Sequence, residues 1–178
     1  MRVELQILDM LQKIHTPVGD QVMCLITHLG DSGMIWILLT LGMLLLPGKR
    51  RTGAILAAAL CIDLILCNGI LKNLVARVRP FDVNTAVQLL VRAPRDFSFP
   101  SGHTAASFTA VMALYLTGEK KLLPPALVLA VLIAFSRLYL YVHYPTDVLG
   151  GVFVGLLCGY LGWQLVQWVT QLMDRRKV

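Results

Sequence analysis

Long apolar stretches separated by short polar breaks run through most of this chain. The apolar pattern is sustained over 33–46, 52–75, 101–117, 122–141 and 146–170, with Pro47-Gly48 and Gly118 as turns. Stretches of this length read as helices that cross a bilayer. Residues 18–29 read as a short first span, ended by Gly30-Asp31-Ser32-Gly33. Ahead of it, Val3, Ile7, Leu8, Leu11 and Ile14 recur at helical spacing. That predicts an amphipathic helix within 1–17, lying in the interface or packing on the bundle. The long connection is 80–100, with Pro80, Pro94 and Pro100 and a short helix expected over 83–91. Connections of that length are commonly functional. The pattern predicts an all-α integral membrane protein of about six transmembrane helices, folded as one domain over 1–178.

Composition sharpens that picture. Of 178 residues, 57% are apolar and 15% charged, against roughly 25% charged in soluble domains. Mean hydropathy is +0.70. Arg2, Glu4 and Asp9 interrupt the first apolar residues, so no cleaved leader is expected. The net charge of +6 could suggest a nucleic-acid partner, but the cations are not arranged for one. Lys49-Arg50-Arg51, Lys120-Lys121 and Arg175-Arg176-Lys177 each abut an apolar segment, as cytoplasmic loops do. With those ends cytoplasmic, 76–100 and 141–146 both lie on the extracytoplasmic side. Cys24, Cys61, Cys67 and Cys158 sit within apolar segments, without metal-ligand spacing.

The polar residues that remain fall into three signatures: Lys72-x6-Arg79-Pro80, Pro100-Ser101-Gly102-His103 and Ser136-Arg137-x5-His143-x3-Asp147. Ionisable groups within apolar segments are costly and point to chemistry. Lys72 and Arg79 are seven residues apart, which would put them on one helical face, with Pro80 ending the element. A lysine point charge and an arginine fork suit a phosphoryl group. Ser101 is a candidate N-cap, and Gly102 would let an anion approach a helix N-terminus beside His103. Asp147 in reach of His143 would fix its tautomer and sharpen the other ring nitrogen as a nucleophile. Asp63 is mid-span and should face a helix or a water pocket. Asn68, four residues before Lys72, could orient it or bond between helices. Gly151-x3-Gly155-x3-Gly159 should permit close helix packing, and Tyr139, Tyr141 and Tyr144 read as an interfacial aromatic belt.

The three signatures together resemble the type 2 phosphatidic acid phosphatase (PAP2) superfamily, which also includes vanadium-dependent haloperoxidases. The resemblance covers about residues 52–170, which makes that segment the catalytic core, with 18–46 as N-terminal spans. It implies a PAP2-type helical bundle with His143 as nucleophile, Asp147 orienting it, and His103 as general acid. Lys72, Arg79, Ser101, Gly102 and Arg137 would hold the phosphoryl oxygens. It implies no metal and no cofactor, because three cations take the phosphate charge.

The expected activity is therefore a lipid phosphatase, most simply one acting on undecaprenyl diphosphate at the outer face of the membrane. Phosphatidylglycerophosphate and phosphatidic acid are alternative substrates. A lipid or phosphate transporter is the reading from another class, and it would not need His143 paired with Asp147. The expected partners are the lipid substrate and the bilayer, with no nucleic acid and no obligate protein partner.

Overall fold

The structure, a computed structural model, describes residues 2–175. Arg176 and Lys177 of the C-terminal basic cluster lie outside the described residues. Helices α1 (Arg2–Gln12), α2 (Pro17–Leu29), α3 (Met34–Leu45), α4 (Arg50–Asp63), α5 (Lys72–Val75), α6 (Pro80–Val83), α7 (Gly102–Leu116), α8 (Leu123–Tyr139) and α9 (Pro145–Arg175) follow in order. A wide π-helical segment, Leu64–Leu71, joins α4 to α5.

By length and composition, Pro47–Val83 and Pro145–Arg175 can each cross a membrane, among the described residues. α2 and Asp31–Leu45, bent by 44° at their junction, pass together as a broken span. α8 is apolar but shorter. Central α7 buries Thr104, Ala105, Ser107, Thr109, Ala110 and Ala113, so its small and hydroxylic residues meet helices rather than lipid. Outside, Leu64, Ile65, Val128, Leu149 and Phe153 are exposed, as a lipid-facing surface requires. This is a membrane protein.

The glycine stripe of α9 sets the closeness of its approach to α7. A Cβ at Gly151 would stand 2.7 Å from the Ser101 carbonyl oxygen, and one at Gly159 would stand 2.6 Å from Met112 Cβ. At Gly155 a Cβ would collide with the Ala105 carbonyl, while Thr109 Oγ1 donates to the Gly155 carbonyl at 3.2 Å. Overpacking of this kind typically costs about 1–3 kcal/mol. The same contact brings the start of α7 beside the start of α9, where the Ser101 amide donates to the Asp147 carbonyl at 3.0 Å. At the far end, Lys49 and Thr52 meet Glu119 at 2.6 and 3.0 Å, which gathers the 47–51 and 118–121 turns together.

Four expectations need correction. No helix forms over 83–91; one turn forms at Pro80–Val83 instead, where proline suits the first helical position. Beyond it Val87, Leu89 and Val91 pack inward at alternate positions, an extended rather than a helical period. The helix carrying Lys72 ends at Val75, where Ala76 takes φ 46°, so Arg79 is not on its face. Tyr139, Tyr141 and Tyr144 are buried, not a belt. They form the seat for α1, whose Leu8 packs on Tyr141 and Tyr144, while Tyr141 Oη donates to Asp9 at 2.7 Å and Tyr139 Oη to Asp20 at 2.7 Å. Fourth, Asn68 makes no described bond to Lys72, and its Oδ1 lies against Gly102, where a Cβ would come within 2.9 Å.

Candidate active site

Three chain segments that are far apart in sequence meet at one end of the bundle. Lys72, buried, reaches from the last turn after the π-helical segment; Arg79, buried and extended, precedes α6. Separated by the break at Ala76, the two converge on one carboxylate, Asp96. Lys72 Nζ and Asp96 Oδ2 form a short ion pair. Arg79 Nη2 donates to Asp96 Oδ1 at 2.6 Å, and Arg79 Nε to the Asp96 carbonyl at 2.7 Å. Burial alone would raise the Asp96 carboxyl. The hydrogen bond from Lys72 and the charges of Lys72 and Arg79 override it and hold the group at about 2. Asp96 thus puts two carboxylate oxygens where two cations can take an anion.

The same Arg79 guanidinium reaches the nucleophile candidate. Its Nη1 donates to the Val142 carbonyl at 2.7 Å and lies 3.3 Å from His143 Nε2. A guanidinium can only donate, so Nε2 presents its lone pair and the ring proton belongs on Nδ1. Nδ1 lies 3.6 Å from Asp147 Oδ2 and has no hydrogen-bond partner. That distance is too long for a hydrogen bond, although the pair is positioned to close into one.

Asp147 is fully buried at the first turn of α9. Its Oδ2 accepts from Ser98 Oγ at 2.5 Å and from the Tyr144 amide at 2.9 Å. Its Oδ1 accepts from Arg77 Nη1 at 2.5 Å. Arg77 also meets Glu4 of α1 at 2.8 Å and lies 4.0 Å over the Tyr144 ring. Sequence reasoning leaves Arg77 and Ser98 outside the site. Arg77 is two residues before a signature arginine, but nothing local shows that it turns toward α9.

Ser101 does sit at the N-cap of α7, but its hydroxyl makes no capping bond and accepts instead from Thr104 Oγ1 at 3.0 Å. Gly102 opens α7 and, with Lys72, Asp96 and His103, lines a cavity of about 380 Å³. His103 Nε2 lies 2.9 Å from Asp31 Oδ1, a carboxylate from the α2–α3 turn. Arg137, buried on α8, donates to Thr27 Oγ1 at the end of α2 and has an unpartnered Nε. Asp63 faces the cavity, with one buried oxygen unpartnered. Among the described residues, no group of three or more His, Cys, Asp or Glu is placed to hold a metal ion.

His143 is 1% exposed. Burial pushes its imidazole far below the usual range, with the Arg79 and Arg137 charges acting the same way against the raising effect of Asp147. The unfolded chain takes up a proton below about pH 6.5 while the folded site refuses it. This burial therefore removes stability as pH falls and has no effect above that range. In the folded, ligand-free protein, ring ¹⁵N shifts of His143 should stay those of a neutral Nδ1–H tautomer down to about pH 5. A midpoint near the ordinary imidazole value would show that the ring is solvated.

A sequence model of the PAP2 superfamily matches residues 32–171. The undecaprenyl-diphosphatase of Sulfolobus acidocaldarius is 33% identical over 131 residues, 74% of this chain, and the chain spans 63% of that protein's length. Phosphatidylglycerophosphatase B of Bacillus subtilis is 37% identical over 161 residues, covering 83% of this chain and 75% of the relative. Among solved structures, a transmembrane PAP2 type phosphatidylglycerolphosphate phosphatase from Bacillus subtilis superposes with a TM-score of 0.75 at 31% identity. That match covers 94% of this chain and 86% of the other.

Proposed function

The chain belongs to the PAP2 superfamily, and from that premise we propose that it is a membrane lipid phosphatase working through a phosphohistidine at His143. One observation carries this reading. Lys72 and Arg79 share an anion, here the Asp96 carboxylate, and that Arg79 guanidinium also touches the lone-pair nitrogen of His143. An anion held by these cations is presented to the nucleophile.

In this reading a substrate phosphoryl group displaces Asp96 and takes its place on Lys72 and Arg79, with Arg137 and the start of α7 at Ser101 and Gly102 completing the cradle. His143 Nε2 attacks phosphorus while the bond to the leaving oxygen breaks, and His103 delivers a proton to that oxygen. Asp147 balances the charge that grows on His143. Water then attacks the phosphohistidine, His103 takes its proton, and inorganic phosphate leaves. No step requires a metal or cofactor, and activity in EDTA is the expected behaviour.

The exposed apolar surface suits a substrate whose tail stays in lipid. We place six spans in the membrane, the site on the extracytoplasmic side and the C-terminus in the cytoplasm, following the charge of the 47–51 and 118–121 turns. Undecaprenyl diphosphate is the first substrate to test, with phosphatidylglycerophosphate and phosphatidic acid as alternatives. The names of the relatives support all but the last. Purified protein in mixed micelles with these three lipids should release phosphate from at least one. A quench into alkali, where a phosphoramidate survives, should trap label on His143. Label on a serine, or binding of all three lipids without release, would sink the proposal.

Asp96 makes a second expectation quantitative. As a resident competitor it lowers the apparent affinity for any phosphate by the fraction of time it fills the seat. Asp96→Asn should lower the inhibition constant of inorganic phosphate on the order of tenfold, about 1.4 kcal/mol. An unchanged constant would mean that the carboxylate and the phosphate do not share a seat.

A further inference from the structure

His103 and Asp31 form a second histidine–carboxylate pair, and Asp31 lies in none of the three signatures. The ring of His103 borders the cavity from the first turn of α7. Its Nε2 is 2.9 Å from Asp31 Oδ1. With that nitrogen occupied, Nδ1 is the atom left to face a ligand, and no described hydrogen bond engages it.

The chain is shaped around this contact. α2 ends at Leu29, and the next residues make a tight turn with Ser32 at φ 53° and Gly33 at φ 69°. A left-handed serine is an uncommon conformation that local structure must hold in place. Gly30 leaves room for the imidazole, since a Cβ there would come within 2.9 Å of His103 Cδ2. One turn earlier, Thr27 accepts from Arg137, tying the end of α2 to the site. The α2–α3 corner is thereby pinned against α7 and α8, with Asp31 at its tip.

The charges around His103 explain why a carboxylate is useful there. Lys72 and Arg137 act on the ring as nearby positive charges, and Asp31 is its opposing partner. Asp63 and Asp96 border the same cavity. A general acid must hold a proton until the leaving oxygen needs it, and neighbouring cations work against that. A carboxylate bonded to Nε2–H offsets them and fixes which nitrogen delivers the proton, as the third member of a catalytic triad does for its histidine. The Asp31 side chain is half exposed, so it adds little to fold stability.

We propose that Asp31 is the positioning residue of the general acid, bonding His103 Nε2 so that Nδ1 delivers the proton to the leaving oxygen. The inference rests on the phosphatase reading above. In the first step the phosphorus–oxygen bond breaks with its electron pair on oxygen, and the proton on Nδ1 passes to that oxygen, leaving a neutral imidazole. In the second, Nδ1 takes a proton from the attacking water.

The test uses leaving groups. An alkyl phosphate needs its leaving oxygen protonated, whereas a nitrophenyl phosphate does so far less. Asp31→Asn in the full chain should lower the ratio of alkyl to aryl kcat on the order of 10²-fold, the scale of general acid catalysis. His103→Gln should change the ratio in the same sense, and the double variant should be no worse than His103→Gln alone. Melting temperatures in detergent identify any misfolded variant, and Asp31→Glu, which keeps the carboxylate, should recover part of the ratio. Equal loss on both substrates, no loss on either, or additive effects in the double variant would overturn the inference. If His143→Ala released phosphate as fast as wild type, the phosphohistidine reading on which this inference rests would fail. An inert His143→Ala with an unchanged Asp31→Asn ratio overturns only the role of Asp31.

Discussion

Replacing His143 with alanine should lower phosphate release from a lipid phosphate by roughly 10⁴- to 10⁶-fold, as losing a nucleophile does in enzymes that work through a covalent intermediate. The imidazole has a specific geometry to lose. Its Nε2 meets Arg79 at 3.3 Å, and its Nδ1 looks toward a fully buried carboxylate. The fold should survive, because Arg79 retains the Val142 carbonyl and Asp96 as acceptors when the ring is gone. Turnover measured beside thermal melting in detergent decides the matter. A variant with near wild-type turnover would remove His143 from the chemistry. One that melts far below wild type would assign it a structural role.

The second large effect is expected at Arg77, which stands at an unspecified position of the first signature. Among the described residues, Arg77→Met removes the cation bonded to Asp147 and leaves that buried carboxylate with Ser98 and the Tyr144 amide. Breaking one side of a buried pair costs about 3–5 kcal/mol. Part of that is recovered if Asp147 takes up a proton, and a neutral Asp147 no longer stabilises a charged His143. The expected result is a loss of kcat on the order of 10²-fold, with a melting temperature several degrees lower. Arg92→Met is the control, being exposed on the 84–101 segment, and should stay within about ±0.5 kcal/mol of wild type. Equal behaviour of the two variants would mean that Asp147 does not depend on Arg77.

Arg77 marks the point where local sequence loses its hold on side-chain direction. Its spacing from Arg79 suggests an exposed cation beside the site, and two alternate residues of an extended strand would face the same way. Past the break at Ala76, Arg79 meets Asp96 and the Val142 carbonyl while Arg77 reaches α9 and α1. Ala76 carries no glycine or proline signal, so nothing local announces its left-handed backbone. The tyrosines depart from expectation for a similar reason. Tyr139, Tyr141 and Tyr144 stand at a helix end, where a belt is the usual reading, but α1 packs over Tyr141 and Tyr144 and α2 packs against Tyr139. Gly151, Gly155 and Gly159 are legible because a four-residue period of the smallest residue has one common use in a bundle.

The residues alone suffice for the all-helical, membrane class of the chain and for a list of candidate reactive groups. Charges in apolar segments are too costly to be casual, so Lys72, Arg79, His103, Arg137, His143 and Asp147 stand out from their positions in the sequence. Which group serves which is a matter of tertiary packing. Asp96 pairs with Lys72 and Arg79, Arg77 bonds Asp147, and Asp31 bonds His103. Each of these three comes from a turn or an irregular segment, where side-chain direction is set by packing between distant elements. Periodicity encodes direction only within a regular element, so it points to candidate groups but not to the residues that hold them in place.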